Sequence, residues 1–154
     1  MSSHFTQIKL SQELAQALRG MMTSFQFSRG TALYQHGTAA TGIYLVEKGA
    51  VRVLLPAGDH QQQLLEVVGA GAVLGLSESV AGDRYRVTAK ADEPTTAAFV
   101  ARKNLLEFLD SHHELCMEVV RILSENLHGL YHKFRSVSAH PGRPRRRMPN
   151  EQLN

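Results

Sequence analysis

A mainly β domain, a sandwich or barrel flanked by helices, is what this sequence predicts. Three observations carry the prediction. Between Phe25 and Val100, short runs of period-two or continuous apolar character alternate with turn residues. Before them, Leu14, Leu18, Met21 and Met22 recur at helical spacing. After Val100 the pattern turns helical and stays so to Val137. The chain has 154 residues, 43% of them apolar, which fits one soluble domain with a single core.

Taken in order, residues 10–23 form an amphipathic helix, with Ser11 as N-cap and Glu13 in the first turn. Residues 25–100 form the barrel. Its strand candidates are "FQF", "ALYQ", "GIYLVEKGAVRVLLP", "QQQLLEVV", "RYRVTAKA" and "TTAAFV". Breaks fall at Gly30, Gly37, Gly42, Gly49, Pro56–Gly58, Gly69–Gly71, Gly82 and Pro94. Many short strands at near-regular spacing point to a sandwich or barrel. Within them, "YLVEKGAVRVLL" predicts a hairpin turning near Lys48 and Gly49.

Residues 102–110 predict a short helix and residues 113–137 a long one. Cys116, Val120, Leu123, Leu127, Leu130, Phe134 and Val137 are spaced 4, 3, 4, 3, 4, 3, an a/d seam over three heptads. A second stripe, Leu115, Val119 and Ile122, covers the first half alone. The seam has two readings. It packs on its own barrel, as most apolar helix stripes do, or it pairs with a second copy. A 25-residue helix spans about 37 Å, longer than a barrel of this size. The expectation is therefore a parallel homodimer through this helix, with the second stripe on the barrel. Gly129 is a weak helical position, by about 1 kcal/mol. Residues 1–138 make the domain. Residues 139–154, rich in Pro, Arg and polar residues, form a basic tail expected to be disordered.

Composition excludes several classes. No apolar run approaches the roughly 18 residues that span a bilayer. The N-terminus lacks a basic stretch followed by an apolar one, so no signal peptide is expected. One cysteine makes no internal disulfide and no multi-cysteine metal site, which suits a reducing cytoplasm. The net charge of +3 resides wholly in residues 141–154, with four arginines and one glutamate. The rest is neutral, so DNA binding is not supported by this chain alone. The arginines of "PGRPRRR" suit weak phosphate contact or, more simply, solvation.

"HGTAATGIYLVEKGAVRVLL" (residues 36–55) and "GAGAVLGLSESVAGDRYRVTAKA" (residues 69–91) resemble, in turn, a strand segment and the phosphate-binding cassette of cyclic nucleotide-binding domains. The glycine pattern around Gly37, Tyr44, Gly49, Gly71 and Gly75 carries the likeness. By pattern the chain is similar to sensor domains of the Crp/Fnr transcription regulators over roughly residues 25–137. The resemblance implies a jelly-roll barrel (a double-stranded β-helix) with an N-terminal helix, a short helix after the barrel and a long dimerisation helix. It implies a regulatory role without catalysis, with a cyclic nucleotide (cAMP or cGMP) or another small molecule as ligand. In the family a helix-turn-helix domain follows; here 17 residues follow Val137, too few for one.

The resemblance also assigns roles. Amides of a short helix after a glycine face the phosphate, a glutamate after that glycine takes the ribose, and an arginine beginning the next strand pairs with the phosphate. The glycine falls on Gly75, and the glutamate position on Leu76, which cannot bond a hydroxyl. Glu78, two residues on, points elsewhere on a helical turn. Anchored on "VTAKA", the arginine position falls on Tyr85. Strand parity turns Arg84 and Arg86 to the opposite face. A one-residue slip or a bulge near Gly82 would restore an arginine. Ser77 is a helix N-cap or a ligand contact. Tyr85 is a wall of an apolar pocket with its hydroxyl at the rim. The candidate ligand residues are thus Gly75, Leu76, Ser77, Glu78, Arg84, Tyr85 and Arg86. The leading function is a dimeric regulatory sensor, and the alternative is a ligand-free dimeric scaffold with a degenerate pocket.

Metal chemistry has little support. His112 and His113 are adjacent and do not share a helix face. His128 and His132 are i, i+4 without a third ligand, and His36 and His60 stand apart. Cys116 suits a small buried residue or, less simply, a cross-dimer disulfide or a redox-sensing thiol. No P-loop, dinucleotide fingerprint or nucleophile–base motif is present.

Overall fold

The computed structural model describes residues 8–138, with side chains over residues 9–125. The Ser11 hydroxyl accepts from the Leu14 amide at 3.0 Å, opening helix α1 (Gln12–Leu18). The preceding strand, β1 (Ile8–Lys9), was not visible in the apolar pattern. α1 is shorter than residues 10–23. Gly20 is a poor helix former, and the chain tightens into a 3₁₀ turn over Arg19–Met21. Thr23 already belongs to β2 (Thr23–Phe27).

There follow β3 (Ala32–Tyr34), β4 (Gly42–Lys48), β5 (Val51–Pro56), β6 (Gln62–Val68), β7 (Ala72–Leu74), α2 (Leu76–Ala81), β8 (Thr88–Ala91), β9 (Thr95–Ala101), α3 (Arg102–Ser111) and α4 (His113–Ser138). The strands make two antiparallel sheets, β1-β7-β4-β9-β2 and β3-β8-β5-β6. The result is a mainly β fold of two sheets with flanking helices.

The expected hairpin across Lys48 and Gly49 is a correction. β4 and β5 follow one another in the chain but lie in different sheets: β4 pairs with β7 and β9, and β5 with β6 and β8. Gly49, at φ +95, turns the chain across the gap, and Thr95 braces the crossing through bonds to both the amide and carbonyl of Ala50. Nor does "RYRVTAKA" form one strand. Regular pairing begins at Thr88, and Arg84 contributes an isolated bridge to Ala39.

The central strands β7, β4 and β9 of their sheet are covered on both faces, so two cores form, while the edge strand β2 is largely exposed. Alternate residues Tyr44 and Val46 point into the barrel, with Val51, Val53, Leu74, Ala89 and Ala97. Ile43, Val73 and Val100 point outward, where Leu14, Leu18, Leu105, Leu109 and Val119 cover them. Leu115 and Ile122 pack against this outer core, as the second stripe predicts. In the seam, Cys116 and Leu123 lie at the same core's margin, whereas Val120 is 50% exposed. Leu127, Leu130, Phe134 and Val137, with His128 and His132, lie outside the described side chains. The tail at residues 139–154 lies outside the described residues. No described helix is long and apolar enough to cross a membrane.

Gly49 tests the crossing. A Cβ there would sit 2.5 Å from Thr95 Oγ1 and 2.6 Å from the Pro94 carbonyl, at a φ that side chains rarely adopt. Gly49→Ala is expected to cost about 2 kcal/mol or more in urea unfolding. Gly58→Ala, with open space around it but also at positive φ, is expected to cost less.

Candidate ligand site in the barrel

The cassette is built from the turn after β7. Gly75, at φ +83, is the N-cap of α2 and carries no side-chain cap. Ser77, expected as the cap or a ligand contact, lies two positions past the cap, inside the first turn, and is exposed. Gly82, at φ +72, ends α2, and the chain returns through residues 83–87 to β8. That return lies against residues 37–40. The Gly37 amide donates to the Tyr85 carbonyl at 2.8 Å, the Tyr85 amide to Thr38 at 2.9 Å, and the Ala40 amide to Asp83 at 3.0 Å. These bonds fix the parity of the segment without a regular strand.

The parity decides where the charges go. Tyr85 is 2% exposed and points into the barrel core, while Arg84 and Arg86 are exposed. Arg84 Nη1 donates to the Gly37 carbonyl at 2.7 Å. Arg86 Nη2 is 2.9 Å from Asp83 Oδ2, and its amide donates to Glu78 Oε2 at 3.1 Å. Bonding to Arg86 holds the Asp83 carboxyl below the usual aspartate range, with the Arg84 amide adding to it. Both guanidinium groups therefore serve the outer side of the cassette. Leu76 also faces away from the interior, buried in the outer core with Leu105 and Val119. Of the seven candidate residues, Gly75 and Tyr85 meet inside the barrel.

Tyr85 is held on three sides. Its ring stacks on Tyr34, centroids 3.8 Å apart and planes 18° apart. Its hydroxyl donates to the Gly42 carbonyl at 2.6 Å and accepts from the Gly42 amide at 3.2 Å. Its edge abuts Gly75, where a Cβ would lie 2.9 Å from Cε1. The hydroxyl is thus buried on backbone and not at a pocket rim, a correction to the sequence expectation. Tyr34 continues the stack to Tyr44, which meets Phe27 and Phe99. Three of the four tyrosines in the chain converge here. Burial pushes the Tyr34 phenol well above the ordinary tyrosine range, with Glu78, Tyr85 and Tyr44 adding to it.

Two participants were missed from sequence. Gly42 was read as a strand break, and its role needs the Tyr85 contact to be seen. Arg102, the first residue of α3, donates from Nε to the Ser79 carbonyl of α2 at 2.7 Å, tying the cassette helix to α3. Its position at a strand–helix junction was the available signal. Among the described residues, no group of three His, Cys, Asp or Glu side chains is placed to hold a metal ion.

The family model for the cyclic nucleotide-binding domain matches residues 24–112. Among solved structures, the Thermus thermophilus catabolite activator protein is similar at TM-score 0.75 and 19% identity, over 84% of this chain and 61% of that one. A cyclic nucleotide-binding domain from Methylobacillus flagellatus is similar at TM-score 0.71 and 24% identity, over 90% and 82%. The sensor domain of the regulator DNR from Pseudomonas aeruginosa is similar at TM-score 0.65 and 22% identity, over 77% and 80%. These likenesses are of fold. The chain spans less than two thirds of the Thermus protein. No curated protein sequence matches it.

Two measurements check the site. Tyr85→Phe keeps the stack and strips two bonds from Gly42, and is expected to cost about 1–3 kcal/mol in denaturant unfolding. An unfolded tyrosine ionises near pH 10, while folded Tyr34 keeps its proton to higher pH. Stability is therefore expected to fall as pH rises past about 10, and Tyr34→Phe to flatten that fall.

Proposed function

Because the chain belongs to the family of cyclic nucleotide-binding domains, we propose that it is a regulatory sensor domain of the Crp/Fnr type, working as a homodimer in the cytoplasm. The observation that carries this reading is the surface of α4. Leu115, Val119 and Ile122 are committed to the outer core, and Val120 of the seam and its neighbour Met117, each about half exposed, are left at the surface. An apolar seam continuing past Leu123 is suited to a second copy of the same helix. The single cysteine supports a reducing compartment.

The signal enters at the cassette and leaves through α4. Arg102 supports the route, since it holds the Ser79 carbonyl of α2 from the head of α3. α3 in turn packs with α4 in the outer core through Leu105, Leu109 and Val119. The ligand is a small molecule, and binding of cAMP or cGMP in the family manner is disfavoured. An inward arginine and a cassette glutamate would be needed, and Tyr85 and Leu76 stand at those positions. Each contact to a charged group is worth about 1.5–3 kcal/mol, so losing both weakens binding on the order of a hundredfold or more. A second reading, a ligand-free dimeric scaffold, is favoured by the Tyr85 ring filling the interior.

Light scattering at tens of micromolar is expected to give the mass of a dimer; a monomer throughout sinks the dimeric mechanism. Val120→Glu is expected to weaken the dimer at least about tenfold by burying an unpaired charge, with the monomer fold intact. A thermal-shift series is expected to show no specific stabilisation by cAMP or cGMP at micromolar concentration.

A further inference from the structure

The space filled by Tyr85 has the features of a ring-binding slot. One wall is an aromatic face, Tyr34, at stacking distance. The opposing edge is a glycine, Gly75, close enough that any side chain there would strike the ring. The inner end offers a donor and an acceptor together, the amide and carbonyl of Gly42, and both are used by one hydroxyl. The segment carrying the ring, residues 82–87, belongs to no strand and is exposed except at Tyr85 and Val87. It begins at Gly82, whose positive φ permits backbone geometries that other residues resist.

We infer that Tyr85 is a tethered occupant of the domain's ligand slot, and that the free ligand suited to this slot is a planar ring with a hydroxyl, or an equivalent donor–acceptor group, at one end, admitted by exchange with Tyr85. This rests on the reading that the cassette is the signal-receiving site. The chemistry of the inner end sets the class. A neutral hydroxyl donates to the Gly42 carbonyl and accepts from its amide. A phosphate anion has no proton for that carbonyl and would be repelled by it, so Tyr85 and Gly42 together select against an anionic group at this end. Tyr85 is in this sense a specificity-determining residue.

The test is Tyr85→Ala with p-cresol, the free counterpart of the tyrosine side chain. Millimolar p-cresol is expected to raise the unfolding temperature of Tyr85→Ala by about 3 °C or more, and that of the wild type by less, since there it must displace the tethered ring. Toluene, which lacks the hydroxyl, is expected to give a smaller rise. If Tyr85→Ala is unfolded alone, the same addition is expected to restore its β-sheet circular dichroism. No response of the variant to p-cresol overturns the proposal, as does no response of the wild type at the highest soluble p-cresol concentration, an equal response of wild type and variant, or an equal effect of toluene. The outcome is separable from that of the sensor reading: a monomer in light scattering removes the dimeric mechanism and leaves the slot, whereas a failed rescue leaves the dimer.

Discussion

A phenol hydroxyl taken out of water must find partners in the protein or cost the fold its desolvation. For Tyr85 the partners are both backbone groups of Gly42, the first residue of β4. That bonding requires the ring to lie flat on Tyr34, and the ring in turn requires Gly75 to lack a side chain. The return segment must then run along residues 37–40, whose backbone receives it. The placement of Arg84 and Arg86 outside the barrel follows from the same ladder. One buried hydroxyl therefore links the cassette, the barrel interior and the start of a central strand.

The central strand is also where the two cores touch. β4 sends Tyr44 and Val46 inward and Ile43 outward, so a shift of its first turn is felt on both faces. The outer core contains α1, α3 and α4 residues, and two polar contacts lace it to its surroundings. Arg102 binds the Ser79 carbonyl, and Glu118 of α4 accepts from the Ser11 amide at the head of α1 at 3.3 Å. Helices α2 and α4 share this one packed layer through Leu76 and Val119, with side chains interdigitating at close-packed density.

The architecture was legible because apolar period changes twice, and each change is a physical switch between strand and helix. The inward turn of Tyr85 was legible too, since parity depends on extended backbone and the bonds to Gly37 and Thr38 supply it even where no regular strand exists. Sheet membership was not legible. "YLVEKGAVRVLL" has every local mark of a hairpin, and what separates its halves is competition from β9 and β8 for the same backbone edges. The cap of α2 is not legible either, because a left-handed glycine can occupy an N-cap that a sequence pattern assigns to Ser77. The hydroxyl of Tyr85 was placed at a rim because nothing in a sequence announces that a glycine backbone will accept it.

The contact of Tyr85 with Gly75 has an evolutionary side. With the ring present, position 75 tolerates no Cβ, and with the ring absent, the interior holds a void beside an aromatic face. Substitution at position 75 is therefore closed for as long as Tyr85 keeps its ring there, whereas position 85 can lose the ring with Gly75 unchanged, at the cost of a void.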